Sequence, residues 1–293
     1  MSRVAVWSLY ALLVVIWSST WVAIKLGLED VPPLLGAGVR FAAAGAVLLA
    51  LTVARRRPLG TDRSLAVVLC LFPFAATYGL VYWGEQHIPS GLAAVLFGAL
   101  PLYVSVMAAA VLPDEPLYPR LLLGVALALG GLVLAFGESV ALGGDDMAVA
   151  GAVACTLAPL AAGVGNVALR LRAGALDAVV LNGWAMLGAG VLLLAASPLT
   201  EDWGDAAWTA QAVESIAYLA LIGTALAFVV LTILFGQLRA VTVSFITLLL
   251  PFGALAFGAL LNDEAVTAAA LGGAALVAAG LLVAQRPRAA RVP

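Results

Sequence analysis

Apolar runs of about 20 residues recur along nearly the whole chain, and each is long enough to cross a bilayer as a helix. Hydrophobic residues make up 64% of the sequence and charged residues 10%, with a mean hydropathy of +1.13. A soluble domain needs roughly 25% charged residues to satisfy its surface. These residues cannot cover one, so the chain reads as an all-α integral membrane protein whose first partner is the lipid bilayer.

Breaks in hydropathy predict ten helices, at roughly 4–26, 34–54, 65–84, 91–112, 118–137, 147–169, 177–197, 213–235, 241–261 and 266–285. The connections are short and leave no room for an inserted soluble domain. The longest, "SPLTEDWGDAAWTAQ", carries a Trp pair suited to the membrane interface. The first run resembles a signal peptide, but it continues to Lys25 with no small-residue cleavage site and reads as a retained span. Cys70 and Cys155 fall inside predicted spans and read as small apolar residues, neither a disulfide nor a metal pair. Thirteen arginines against one lysine in an Ala/Leu/Gly-rich chain suggest a GC-rich bacterial genome. With the N-terminus in the cytoplasm, 12 of the 14 basic residues lie inside, Lys25 and Arg40 being the exceptions. The positive-inside rule therefore puts both termini in the cytoplasm.

The chain also repeats. "LPLYVSVMAAAVLPDEP" and "LPFGALAFGALLNDEA" each carry a proline followed 14 or 13 residues later by Glu115 or Glu264. Gly124 and Gly273 follow nine residues on, and Gly131 and Gly280 sixteen. Residues 1–141 and 147–293 thus read as two copies of five helices. Five is odd, so the second copy enters the membrane from the opposite side, the inverted-repeat plan of many secondary transporters. The Asp-Glu pairs would open the fifth and tenth helices as N-terminal caps, and the glycines would be helix-packing positions.

The repeat, "WSSTW" before Lys25, Arg40 in the second helix and the "P…E…G" halves together resemble the drug/metabolite transporter superfamily. The nearest likeness is to its ten-helix EamA branch, in particular YddG-like amino acid exporters, and it covers essentially the entire chain. It implies a basket with helices 1, 3, 4, 6, 8 and 9 around a central cavity, and helices 5 and 10 packed to one side. It also implies a secondary transporter of the bacterial inner membrane. Small multidrug pumps of the superfamily exchange protons through a buried Glu in the first helix; here that helix has no acid before Glu29.

Candidate binding residues follow from groups that lipid does not need. Trp17 and Trp21 are four apart with Thr20 near their face, and in a helix about 33 Å long Trp17 lies near mid-depth. Interfacial tryptophans belong at helix ends, where Trp7 fits. A cavity wall suits Trp17, Thr20 and Trp21; the alternative is packing between helices, with the hydroxyls bonded one turn back. Tyr78 and Tyr82 repeat the spacing, with Glu85 next towards the outside, although Tyr82 also suits an outer aromatic belt. Asn166 reads as interhelical glue or a gate. Thr247 lies on a polar stripe with Ser244 and Pro251, and Ser244 reads as glue. Pro73, Pro101, Pro159 and Pro251 sit near mid-span, each freeing a backbone carbonyl for a solute. With no carboxylate expected at mid-depth, Glu85 and Glu214 are expected to be dispensable for transport, and a zwitterion suits the site better than an ion.

Lys25 is expected to snorkel outward, Arg40 to anchor on Glu29, Asp30 or Glu85, and His87 to lie in an exposed turn. The expected partner is a small-molecule substrate, an aromatic or other neutral amino acid or related metabolite, exported or taken up. Cofactors, metals and nucleic acid are not expected. No G-x-x-x-x-G-K-[ST] motif for ATP is present. A membrane enzyme would need clustered His, Asp, Glu or Cys, and the chain has one His.

Overall fold

The computed structural model describes residues 1–88, 90–136, 146–172, 177–261 and 268–284. Every regular element among them is helical. Seven helices are long and apolar enough to cross a membrane: Arg3–Leu28, Pro33–Ala54, Arg63–His87, Leu92–Val111, Asp146–Leu171, Ala178–Leu199 and Ala210–Phe235. Three more, Pro119–Leu134, Ala240–Gly253 and Leu271–Ala284, are apolar but shorter. Against the ten spans read from hydropathy, seven helices among the described residues have the length to cross, and the other three are apolar but short.

Several spans are not single α-helices. We number them α1 (Arg3–Leu28), α2 (Pro33–Ala54), α3 (Arg63–Leu69), α4 (Thr77–His87), α5 (Ser90–Phe97), α6 (Leu100–Val111), α7 (Pro119–Phe136), α8 (Asp146–Leu171), α9 (Ala178–Ala196), α10 (Ala210–Tyr218), α11 (Ala227–Phe235), α12 (Ala240–Ser244), α13 (Ile246–Leu261) and α14 (Ala268–Ala284). A π segment at Cys70–Ala76 joins α3 to α4, and a second at Leu219–Leu226 joins α10 to α11. Pro73 explains the first, because its ring cannot fit a regular α turn. The second contains no proline. Gly98 and Ala99 separate α5 from α6, and Phe245 separates α12 from α13. Pro101 therefore stands in the first turn of α6, where its missing N–H costs nothing, and not mid-helix as its spacing implied.

Helix ends are held by side chains. Ser2, Asp62, Asp177 and Thr209 cap α1, α3, α9 and α10 through their own side-chain oxygens. Glu201 reaches across to accept from the Leu34 and Leu35 N–H groups at the start of α2, at 2.6 and 3.0 Å. Glu115 does the same for α12, accepting from Ala240 N–H at 2.8 Å and Val241 N–H at 3.3 Å, and pairs with Arg170 at 3.0 Å. The expected cap on the fifth helix is thus corrected: α7 begins at Pro119, and buried Glu115 caps a helix 125 residues away. Asp263, Glu264, Arg286, Arg288 and Arg291 lie outside the described residues.

Four arginines gather at one end. Arg57 pairs with Asp177, Arg172 with Asp62 and Arg170 with Asp114, while Arg239 donates to the Asp114 carbonyl. The opposite end is knit by acids and amides, with Gln211 on Glu29 and Thr209 on Asp30.

Two antiparallel pairs have the closest backbones. α7 lies on α14, where a Cβ at Gly124 would strike the Gly280 carbonyl and one at Gly131 would strike the Gly273 carbonyl. α2 lies on α9, with Gly45 against Leu187 and Gly183, and Gly190 against Ala42. Lipid supplies no hydrophobic drive between helices, so association relies on close backbone approach at small residues. Gly130, one residue from Gly131, faces open space. Gly131→Leu should cost about 1–3 kcal/mol through overpacking and lower the melting temperature in detergent. Gly130→Leu should not, and equal effects of the two would refute this account of the α7–α14 contact.

Candidate functional site

A narrow cavity of about 70 Å³ lies at the centre of the helices. Its walls come from α1, the Pro73–α4 segment, α5 and α6, α8, α11, and α12 and α13. Counted as spans these are 1, 3, 4, 6, 8 and 9, the set implied by the resemblance, while α7 and α14 pack on each other away from it. A water needs roughly 10–15 Å³, so the space suits a handful of waters and admits a larger solute only as lining side chains move.

Of the eight residues singled out from the sequence, six line this space: Trp17, Thr20, Trp21, Tyr78, Asn166 and Thr247. The Trp17 indole N–H donates to the Gly223 carbonyl at 3.2 Å, in the second π segment, and its ring leans on Phe228 at 5.3 Å. An irregular turn frees carbonyls from the helical ladder, and this one has its partner in the indole. Trp21 meets Phe97 edge-on at 5.7 Å, and Tyr78 meets Phe41 at 4.8 Å.

The hydroxyls are mostly satisfied within their own helices. Thr20 donates to the Trp17 carbonyl, Thr247 to the Ser244 carbonyl and Ser244 to the Val241 carbonyl. Asn166 differs: its side-chain amide lines the cavity and makes no hydrogen bond to a described residue. With the Trp21 indole N–H, it is a polar group free to meet a solute. None of the described lining residues is charged.

Tyr82 and Pro101 do not line the cavity. Tyr82 is buried at 3% exposure, and its hydroxyl accepts from Arg40 at 3.2 Å. Pro101 is buried in the first turn of α6, with its carbonyl accepting from Ser105.

Arg40 is the organising cation behind the aromatic wall. Only 1% exposed, it donates to Thr224 at 2.6 Å as well as to Tyr82, and its guanidinium sits 4.7 Å over the Tyr78 ring. No carboxylate pairs with it among the described residues, so the expected anchors Glu29, Asp30 and Glu85 are replaced by hydroxyls and ring faces. Lys25 does not snorkel; its ammonium donates to the Glu85 carbonyl at 2.8 Å. Nor is Glu85 an outer-surface acid. It is fully buried inside the protein, a turn beyond Val81 of the cavity wall.

Phe97, Leu100 and Phe228 were not legible as lining residues, because an apolar side chain in an apolar helix carries no mark of which face it serves. Cys155 is buried and Cys70 half-buried, both as free thiols.

The EamA-like transporter family model matches the chain twice, over residues 5–137 and 149–285. The chain belongs to the EamA-like transporter family. An uncharacterized transporter of Bacillus subtilis, YoaV, is 30% identical over 271 residues, 92% of each protein. A probable amino-acid metabolite efflux pump of Salmonella typhimurium is 28% identical, covering 93% of this chain and 92% of its own. A solved crystal structure with 21% sequence identity superimposes with a TM-score of 0.81 over 97% of both chains, a likeness of fold. As an EamA member the chain is a transporter and a multi-pass membrane protein.

The hydroxyl partners of Arg40 give a direct test of this wall. Tyr82→Phe leaves a buried guanidinium short of an acceptor and should cost about 1–3 kcal/mol of stability. Thermal unfolding of the purified protein reads this. An unchanged melting temperature would mean that Arg40 needs no hydroxyl there.

Proposed function

We propose that this EamA transporter exports aromatic or other neutral amino acids and related small metabolites across the bacterial inner membrane by alternating access. The observation that carries the proposal is the central cavity: aromatic and aliphatic walls from six spans, one free amide at Asn166, and no charged side chain. Such a surface receives an amphipathic solute without net charge, the pattern of apolar walls and few polar groups typical of ligand sites. Trp17, Trp21 and Tyr78 would hold the side chain of the solute, and Asn166 would meet its polar end, with Thr20 and Thr247 beside it. The similarity to a probable amino-acid metabolite efflux pump supports both solute class and direction.

We further propose that the machine is two inverted five-helix repeats, residues 1–141 and 147–293, with both termini cytoplasmic. Two family matches, one per half, support the duplication. The π segments fall about half a chain apart, as do the broken α5–α6 and α12–α13 helices. Gly124 of the first half meets Gly280 of the second, and Gly131 meets Gly273. Since Gly124 corresponds to Gly273 and Gly131 to Gly280, the contact is reciprocal, as across a two-fold axis. That axis would lie in the membrane plane, because the helices are antiparallel. The arginines gathered at one end support that end as cytoplasmic.

Two measurements test these readings. In proteoliposomes given a labelled neutral amino acid panel, Trp17→Ala or Tyr78→Ala should lower flux at least several-fold. Each removes about 1–3 kcal/mol of apolar contact, worth roughly tenfold in affinity. Trp7→Ala, at an exposed position, should do far less. Normal flux in both cavity variants, as monodisperse protein, would move the site elsewhere. Separately, reporter fusions after Arg57 and Arg172 should score cytoplasmic and one after Asp205 external. A cytoplasmic signal at Asp205 would break the inverted plan.

A further inference from the structure

Glu85 stands out among the described carboxylates. It is fully buried, and neither carboxyl oxygen has a hydrogen-bond partner. It takes part in no salt bridge among the described residues. The nearest ammonium, that of Lys25, donates to the backbone carbonyl of the same residue at 2.8 Å and reaches neither carboxyl oxygen. That carbonyl lies in the last turn of α4, where free carbonyls and the helix dipole favour a cation.

The position matters as much as the isolation. Ile24 of α1 and Val81 of α4 line the cavity. Lys25 follows Ile24 directly, and Glu85 lies one turn past Val81. The Lys25–Glu85 contact therefore draws α1 onto α4 across one end of the cavity.

An ionised carboxylate shut away from water needs donors. Here no donor reaches either carboxyl oxygen, an arrangement suited to a neutral acid. To carry charge, the carboxyl needs donors, and water admitted to supply them parts α1 from α4. A Lys25 ammonium that turned one of its two remaining N–H bonds to the carboxylate would instead keep the contact and give no opening.

We propose that Glu85 is a proton-binding site whose titration controls the α1–α4 contact closing this end of the cavity. The exchange is simple: the carboxylate takes a proton from water as the contact forms and returns it as the contact opens. Since the closed arrangement binds the proton, rising pH favours the open one. This applies whichever solute is carried.

Other groups face Glu85. Lys25 comes from α1, and Arg40 from α2 acts on it through space. Cys155 of α8 packs under Gly84, Tyr82 and His87 come from α4 itself, and α5 presents no titratable group. Cys70 of the π segment faces Gly188 instead. Tyrosine, lysine and arginine ordinarily keep one charge state from about pH 5 to 8, and both cysteines are replaced in the test. The rival is His87, whose Nε2 is also buried without a partner.

The test uses the full chain in liposomes, with Cys70→Ala and Cys155→Ala, and spin labels at Leu26→Cys and Gln86→Cys, both exposed positions. Pulsed-EPR distances between about pH 5 and 8 should show the longer population growing several-fold through a one-proton transition. Glu85→Gln should hold the short distance throughout, and His87→Asn should leave the transition in place. No transition, a transition surviving Glu85→Gln, or its loss in His87→Asn would overturn the proposal. If Glu85→Gln does not yield monodisperse protein, infrared difference spectra of the unmutated Glu85 protein decide. A carboxylic-acid C=O band must disappear in step with the distance change, and its absence rejects the site. Neither readout uses a transported solute, so failure here and failure of the amino acid reading are separately visible.

Discussion

Close approach of backbones at small residues is the contact on which this structure depends. In lipid a leucine gains little by leaving tails for another helix, so attraction must come from many short contacts. The α7–α14 and α2–α9 pairs achieve this where glycine lets one helix reach the carbonyls of the other. These pairs join the first half of the chain to the second. The remaining spans are thereby held around a space instead of collapsing onto it.

That space is bounded by groups whose polar needs are already met. Cavity hydroxyls turn back to their own helices, the Trp17 indole takes a carbonyl of a π turn, and Arg40 is held by Thr224, Tyr82 and the Tyr78 ring. A wall satisfied in this way presents rings and aliphatic carbons to a solute, and selects by shape and apolar contact. Asn166 and the Trp21 indole are exceptions among the described lining residues, and Asn166 lies one turn from Arg170, which pairs with Glu115 at the arginine-rich end. Glu115 in turn caps α12, whose Val243 and Ser244 line the cavity. Cavity wall and closing contacts are thus neighbours on the same helices.

Much of this was legible in the sequence, for identifiable reasons. Long apolar runs mark helices because every backbone group in lipid must bond within its own segment. Trp17 and Tyr78 could be named because a polar tip at mid-depth needs explaining. Other features carried no such mark. Tyr82 shares the spacing of Tyr78 yet turns to Arg40, since a four-residue step leaves the choice between cavity and neighbour open. Glu115 looked like a cap for its own helix, but the carboxylate reaches N–H groups that are close only in the folded chain. Glu85 looked peripheral because hydropathy measures depth along one helix and not cover by the others. Phe97 and Phe228 are indistinguishable by residue type from apolar neighbours that face lipid.

The π segment at Cys70–Ala76 carries a consequence for how this sequence can change. A π turn holds one residue more than the α turn it replaces, so the wide turn absorbs that surplus and α4 keeps the phase of a regular helix. Deleting one residue of the segment would let the helix run on as α with Tyr78, Val81 and Glu85 still on their present face, at the cost of fitting the Pro73 ring into a regular turn. The same deletion in a regular span such as α2 has no wide turn to draw on, and rotates everything that follows by about 100°. The stretch is thus a place where the length of this chain can change by one residue without re-aiming the cavity wall.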